Sequence, residues 1–169
     1  MAGAMNAMWR TVVGSQFEVA IEMLGSAVRD CPDELWEESL WDDKSLPGFS
    51  EFWYVAYHAM FWLDLYLSGS SEGFAPPAPF TLDELDPAGV LPPRVYTRDE
   101  LERYVAHNFE KCRATIKNLT DEQAQRTHRI GNERREIRFA ELILYNMGHV
   151  REHAAQLSMF LGQSRGSAL

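Results

Sequence analysis

Six of the eight prolines in this chain fall between residues 68 and 96: Pro76, Pro77, Pro79, Pro87, Pro92 and Pro93. Proline lacks the amide hydrogen that a helix interior needs, and it pushes the preceding residue out of the helical conformation. This stretch therefore cannot be one helix. The segments on either side of it carry apolar residues at helical spacing, and each has a face that must be covered. The proline-rich stretch is thus expected to be a long connection draped over the helices it joins rather than a boundary between domains.

The helical pattern recurs four times. The first segment is expected at about 5–29, where Trp9, Val12, Val13, Phe17, Ala20, Ile21, Leu24 and Val28 form one stripe. Cys31-Pro32-Asp33 ends it; residues 33–36 read as a short helical turn and 40–48 as a loop. Ser50 is the expected N-cap of a second helix over 51–67, which is apolar nearly all round and belongs inside a bundle or under a partner subunit. A single turn is expected at 81–86 within the proline-rich stretch. Thr97, with Glu100 three residues later, has the signature of a capping box, and Leu101, Tyr104, Val105, Asn108, Cys112 and Ile116 make the inner face of the third helix. Thr120 is a further cap signal, and Gly131-Asn132 marks a turn that a hairpin can use. The fourth long helix is expected at about 138–161, with Leu142, Tyr145, His149, His153, Leu157 and Phe160 facing inward and Gly162 ending it. No internal repeat is visible. The expected architecture is an all-α four-helix bundle, a single domain spanning 1–169 with a long crossover between helices 2 and 3.

Composition narrows the function. A formal net charge of −9 disfavours nucleic acid, whose phosphates need a basic face. The densest basic cluster, Arg126, Arg129, Arg134, Arg135 and Arg138, is diluted by Glu133 and Glu136 and reads as a solvated loop entering a helix. No apolar run reaches the roughly 20 residues of a membrane span. The first residues lack the basic region and apolar run of a secretory signal, and two cysteines, Cys31 and Cys112, make no disulfide framework. Both cysteines are expected to be buried side chains. These features point to a cytoplasmic protein.

The histidines carry the chemistry. His149 and His153 are four residues apart on one helix, so their rings share a face one turn apart and can reach one ion. Both fall on an apolar stripe, where an imidazole needs a polar partner. His58 shows the same anomaly midway along the second helix, in phase with Tyr54, Phe61, Trp62 and Leu65. One shared divalent ion satisfies all three rings. His107 falls on a solvated face and His128 in a loop, so neither is expected to be a ligand. His149-Val-Arg-Glu-His153 also matches the inverted zinc-peptidase pattern H-x-x-E-H. That chemistry wants a third ligand well downstream, and only 16 residues follow His153. A ferritin-like di-metal bundle wants Glu three residues before the histidine, and Val55 stands there before His58.

An inward histidine in the second helix (Tyr57-His58-Ala-Met-Phe-Trp62) and His149-x-x-x-His153 followed by Gln156 in the fourth resemble the DinB/YfiT-like superfamily over nearly the whole chain. The resemblance implies an up-down-down-up four-helix bundle, commonly a homodimer, with nickel, zinc or iron on His58, His149 and His153. Some of its members are transferases or isomerases that use a low-molecular-weight thiol such as bacillithiol, mycothiol or glutathione. The chemistry expected is activation of a thiol or water toward a small electrophilic substrate, by transfer or hydrolysis. A metal-binding bundle without catalysis is the alternative. Gln156, one turn beyond His153, is placed to orient a ligand or substrate, and Tyr54 and Tyr145, one turn before His58 and His149, to line the pocket. No general base is apparent, so the catalytic residues are left open.

Overall fold

The computed structural model describes residues 7–42, 44–129 and 136–166. Four long helices dominate: α1 (Ala7–Asp30), α2 (Phe52–Ser68), α3 (Arg98–Asn118) and α5 (Phe139–Gly166), with one short helix, α4 (Asp121–Gln125), before the last. α1 packs against α3 and α5, and α2 packs against the same two helices from the other side. The result is a helical bundle around one apolar core. The Gly131-Asn132 turn and the first residues of the expected helix 1 lie outside the described residues.

α1 presents Val13, Phe17, Ala20, Ile21, Leu24 and Val28 to the core, but Val12 is exposed. The apolar stripe of this helix is one residue narrower than its sequence suggests. α2 is covered on nearly every side, and the residues that stay half-buried, His58, Trp62 and Tyr66, recur every four positions along a single face. Its start corrects the expected Ser50 cap. The helix begins at Phe52, with Glu51 in the capping position and no side-chain cap bond. Its first amides are satisfied by the preceding chain instead: Phe52 donates to the carbonyl of Glu38 and Trp53 to that of Trp36. Ser50 is buried and its carbonyl accepts from the Leu40 amide. A backbone partner has displaced the cap. At the other end Gly69 adopts φ +72°, and its amide donates to Tyr66. A side chain there would meet His128 and Phe139 at 3.1 and 3.2 Å.

α3 follows the sequence closely. Thr97 accepts from the Glu100 amide while the Glu100 carboxylate accepts from the Thr97 amide, the expected reciprocal box, and all six expected inner residues are buried. Thr120 and Gln123 form a second box on α4. Two three-residue strands, β1 (Thr127–Arg129) and β2 (Glu136–Arg138), pair antiparallel with His128 opposite Ile137. They depart from a purely helical fold, and burial of Ile137 gives the hairpin its hold on the bundle.

α5 differs from expectation in length and in phase. It runs through Gly162 to Gly166, so Gly162 is an interior helical residue and not a stop. The side-chain bond of Ser164 to the Phe160 carbonyl lies in this continuation. The buried row is Leu142, Ile143, Asn146, Val150, Ala154, Leu157 and Leu161, whereas Tyr145 is 49% exposed and His149 and His153 are half-buried. The histidines thus lie on the flank of the stripe that meets α2, not at its centre. Leu and Ile at 143, 157 and 161 outcompete Tyr and His for the driest positions because their burial leaves no polar group to satisfy.

The proline-rich crossover lies against α2 and α3. Phe80 stacks on Tyr104 at 4.3 Å and on Tyr57 at 5.8 Å, and Phe74 meets Phe61 edge-on at 5.5 Å. Between these anchors and α3, a short 3-10 turn at Asp83–Leu85 occupies the expected single turn. Asp64, fully buried in α2, accepts from the Tyr104 hydroxyl at 3.0 Å and pairs with Lys111, which ties α2 to α3. The Cys31 and Cys112 thiols are free and buried, and burial pushes both up to about 12. No helix among the described residues is long and apolar enough to cross a membrane.

Candidate metal centre

The half-buried face of α2 is turned toward the flank of α5, and this brings three imidazoles together. The ring centroids of His149 and His153 are 4.5 Å apart, those of His58 and His153 5.1 Å, and those of His58 and His149 5.5 Å. One nitrogen from each ring can be chosen so that all lie within 4.8 Å of one another. Imidazole nitrogens about 2.0–2.1 Å from one ion sit at most roughly 4.2 Å apart, a gap that small side-chain rotations close.

The hydrogen bonds say which nitrogens are available. Gln156 Oε1 is 2.8 Å from Nδ1 of His153, and a carbonyl oxygen only accepts, so Nδ1 carries the hydrogen and Nε2 is a bare lone pair. Glu84 Oε2 is 2.8 Å from Nδ1 of His58, so that Nδ1 also carries a hydrogen and Nε2 is the ring nitrogen Glu84 leaves free. Nε2 of His149 is 3.1 Å from Nε2 of His153, while its buried Nδ1 has no partner among the described residues. Burial, followed by the neighbouring rings, lowers His149 to about 3; burial and His58 lower His153 to about 4. Both are therefore neutral near pH 7. Two neutral rings with nitrogens in contact and one orphaned buried nitrogen form an unfinished polar cluster. The three rings are placed so that they could hold a metal ion, and neutral imidazole is the form that binds one.

Glu84 was not foreseen. It arrives on the crossover turn with its side chain 4% exposed, and Trp62 Nε1 donates to the same oxygen at 2.8 Å. Burial alone would raise its pKa, but the hydrogen bonds from His58 and Trp62, with Tyr54 alongside, outweigh burial and hold the carboxyl below its usual range. The signal in the sequence was slight: one of several acidic residues on a loop whose register against α2 no periodicity reports. Tyr54 is buried beside Glu84, and burial followed by that carboxylate raises its pKa far above the ordinary value. Tyr145 meets Tyr66 edge-on at 5.7 Å at the rim.

A cleft of about 390 Å³ opens beside the rings, lined by Phe49, Tyr54, Trp62, Tyr66 and Tyr145 as well as His58 and His149. It adjoins a groove of about 630 Å³ that shares Trp62, Tyr66 and Glu84 and reaches His128 and Arg129. His128 packs on Phe139 and stands apart from the triad; His107 is 42% exposed, with Nε2 3.5 Å from Asp64. Glu152, the acidic member of the peptidase-like pattern, is exposed.

No curated protein and no solved structure matches this chain at a significant level. Residues 16–157, from α1 to the last turns of α5, match the family model of the DinB superfamily. The chain belongs to the DinB superfamily.

Proposed function

We propose that this protein is a metal-dependent enzyme in which His58, His149 and His153 hold one divalent ion, nickel, zinc or iron, beside a cleft for a small electrophilic substrate. The observation that carries the proposal is the convergence of three imidazoles, two of them held neutral, at the mouth of an aromatic cleft. Three protein nitrogens leave further positions on the ion, as in catalytic rather than structural sites. An ion held this way supplies Lewis acidity that lowers the pKa of a water or a low-molecular-weight thiol. The chain's own groups then position the reactants. Gln156 fixes the ring of His153, Trp62 and Glu84 fix that of His58, and Tyr54, Tyr66 and Tyr145 wall the cleft on the substrate's side. Transfer of the thiol to the electrophile, or its hydrolysis, is the reaction class this arrangement serves.

The accompanying reading of the architecture is an up-down-down-up bundle. It is supported by contacts of Arg10 with Leu119 and Glu18 with Arg113, which run α3 against α1, and of Met60 with Asn108 and Asp64 with Lys111, which run α3 along α2. Contacts of His58 with His153 and Leu63 with Asn146 run α5 against α2. A cytoplasmic location fits two free, buried thiols. A homodimer fits the row of exposed Met8, Val12, Val19 and Met23 on one side of α1.

The test is a screen of ion-loaded protein for consumption of reactive electrophiles with water, glutathione, bacillithiol or mycothiol as nucleophile. Turnover that His149→Ala abolishes supports the enzyme. A loaded protein inert with every nucleophile favours the alternative, a non-catalytic bundle in which the ion staples α2 to α5.

A further inference from the structure

The three rings differ in what holds their outer nitrogens. His153 leans on a neutral amide, His149 on nothing among the described residues, and His58 on a carboxylate. That carboxylate is unusually constrained. Both the His58 ring and the Trp62 indole donate to the one oxygen, Oε2, at 2.8 Å each, and the side chain is almost wholly buried. Its backbone belongs to the 3-10 turn that follows the anchor formed by Phe80 on Tyr104 and Tyr57. Lifting this part of the crossover would therefore take Glu84 away from His58.

We infer that Glu84 is the positioning residue of the metal centre: it fixes the proton of His58 on Nδ1 and turns Nε2, as a lone pair, toward His149 and His153. This rests on the three-histidine reading for its purpose, but the hydrogen bond from His58 Nδ1 to Glu84 is present without any ion. A ligating histidine commonly gives its other N–H to a carboxylate, which both orients the ring and makes it a stronger donor. Here the carboxylate comes from a segment that is neither α2 nor α5. Docking of the crossover and affinity for the ion are consequently coupled: each strengthens the other.

The experiment compares wild type, Glu84→Gln, Glu84→Ala and, as a control on the exposed part of the crossover, Glu72→Gln. Two readouts are taken. The first is the dissociation constant for zinc, measured against a competing chromophoric chelator. The second is the tautomer of the His58 ring in ion-free, nitrogen-15-labelled protein. Loss of an outer partner of this kind weakens metal binding by about 10–100-fold. Glu84→Gln, which keeps an accepting oxygen but loses the charge, is expected near the lower end, and Glu84→Ala near the upper. Wild type should show His58 protonated on Nδ1, Glu84→Ala a mixture of tautomers, and Glu72→Gln no change in either readout. A folded Glu84→Ala with wild-type zinc affinity and an unchanged His58 tautomer overturns the inference. If Glu84→Ala does not fold, Glu84→Gln with wild-type affinity does the same. If wild type itself binds no zinc, the three-histidine reading fails, while the tautomer comparison still decides the role of Glu84.

Discussion

His149 is a half-buried polar residue whose ring is only partly satisfied. Its Nδ1 is buried without a partner among the described residues, its Nε2 faces another neutral imidazole, and burial lowers its pKa to about 3. The consequence for stability has a definite sign. Above about pH 6.5 both folded and unfolded chains carry His149 and His153 neutral, so the pair adds no pH dependence. Below it the unfolded chain takes up protons that the folded chain refuses until the pH nears 3 to 4, so stability falls with falling pH by up to about 1.4 kcal/mol per pH unit for each ring. Urea unfolding of ion-free protein at pH 7.5, 6.0 and 5.0 should show this loss, and His149→Gln with His153→Gln should flatten it. A wild-type midpoint no more sensitive to pH than that of the double variant would show that the rings are not held neutral. The positions of these two rings were legible because helical phase alone puts residues four apart on one face. His58 was legible as a polar group in an apolar run. Glu84 was not, because nothing local relates a loop residue to the helix it lands on. Trp62 looked like core and turns out to spend its one N–H on the same carboxylate.

Among the elements, α3 was read correctly because its signals agree: a capping box, a clean apolar face and charged residues elsewhere. Replacing Thr97 by Ala removes one of those signals and should cost about 1 kcal/mol in chemical unfolding. The start of α2 and the phase of α5 depart from their sequence patterns for one physical reason. A local pattern assumes that a helix solves its own end and its own face, whereas here distant backbone carbonyls cap α2 and competition among large apolar side chains sets the rotation of α5. The crossover was identified as draped from its prolines, but its anchors were not. Phe80, buried between Tyr57 and Tyr104, is the chief one. Phe80→Ala should destabilise the fold by about 3–5 kcal/mol. It should also speed amide exchange around residues 81–86 more than along α1; uniform acceleration would mean that the crossover has no anchor of its own.

For the whole molecule, the arrangement that covers α2 buries most of its aromatic residues within the chain and leaves Trp62 and Tyr66 half-buried at the cleft. Among the described residues, α1 carries a row of exposed apolar side chains, Met8, Val12, Val19 and Met23. If that row mediates a homodimer, sedimentation should give twice the chain mass for wild type and the monomer mass for Val19→Lys with Met23→Lys; a monomeric wild type removes the dimer from the account. An ion that binds only the folded chain adds about 2.7 kcal/mol at one hundred times its dissociation constant. The melting temperature should accordingly rise with added zinc in wild type and not in His149→Ala. The most direct measurement is elemental: metal content per chain of protein purified without an affinity tag, for wild type and for His149→Ala. One equivalent of a divalent transition metal in the first and a substoichiometric amount in the second is the predicted result. No stoichiometric metal in wild type, or the same content in both, would contradict a shared ion on His58, His149 and His153.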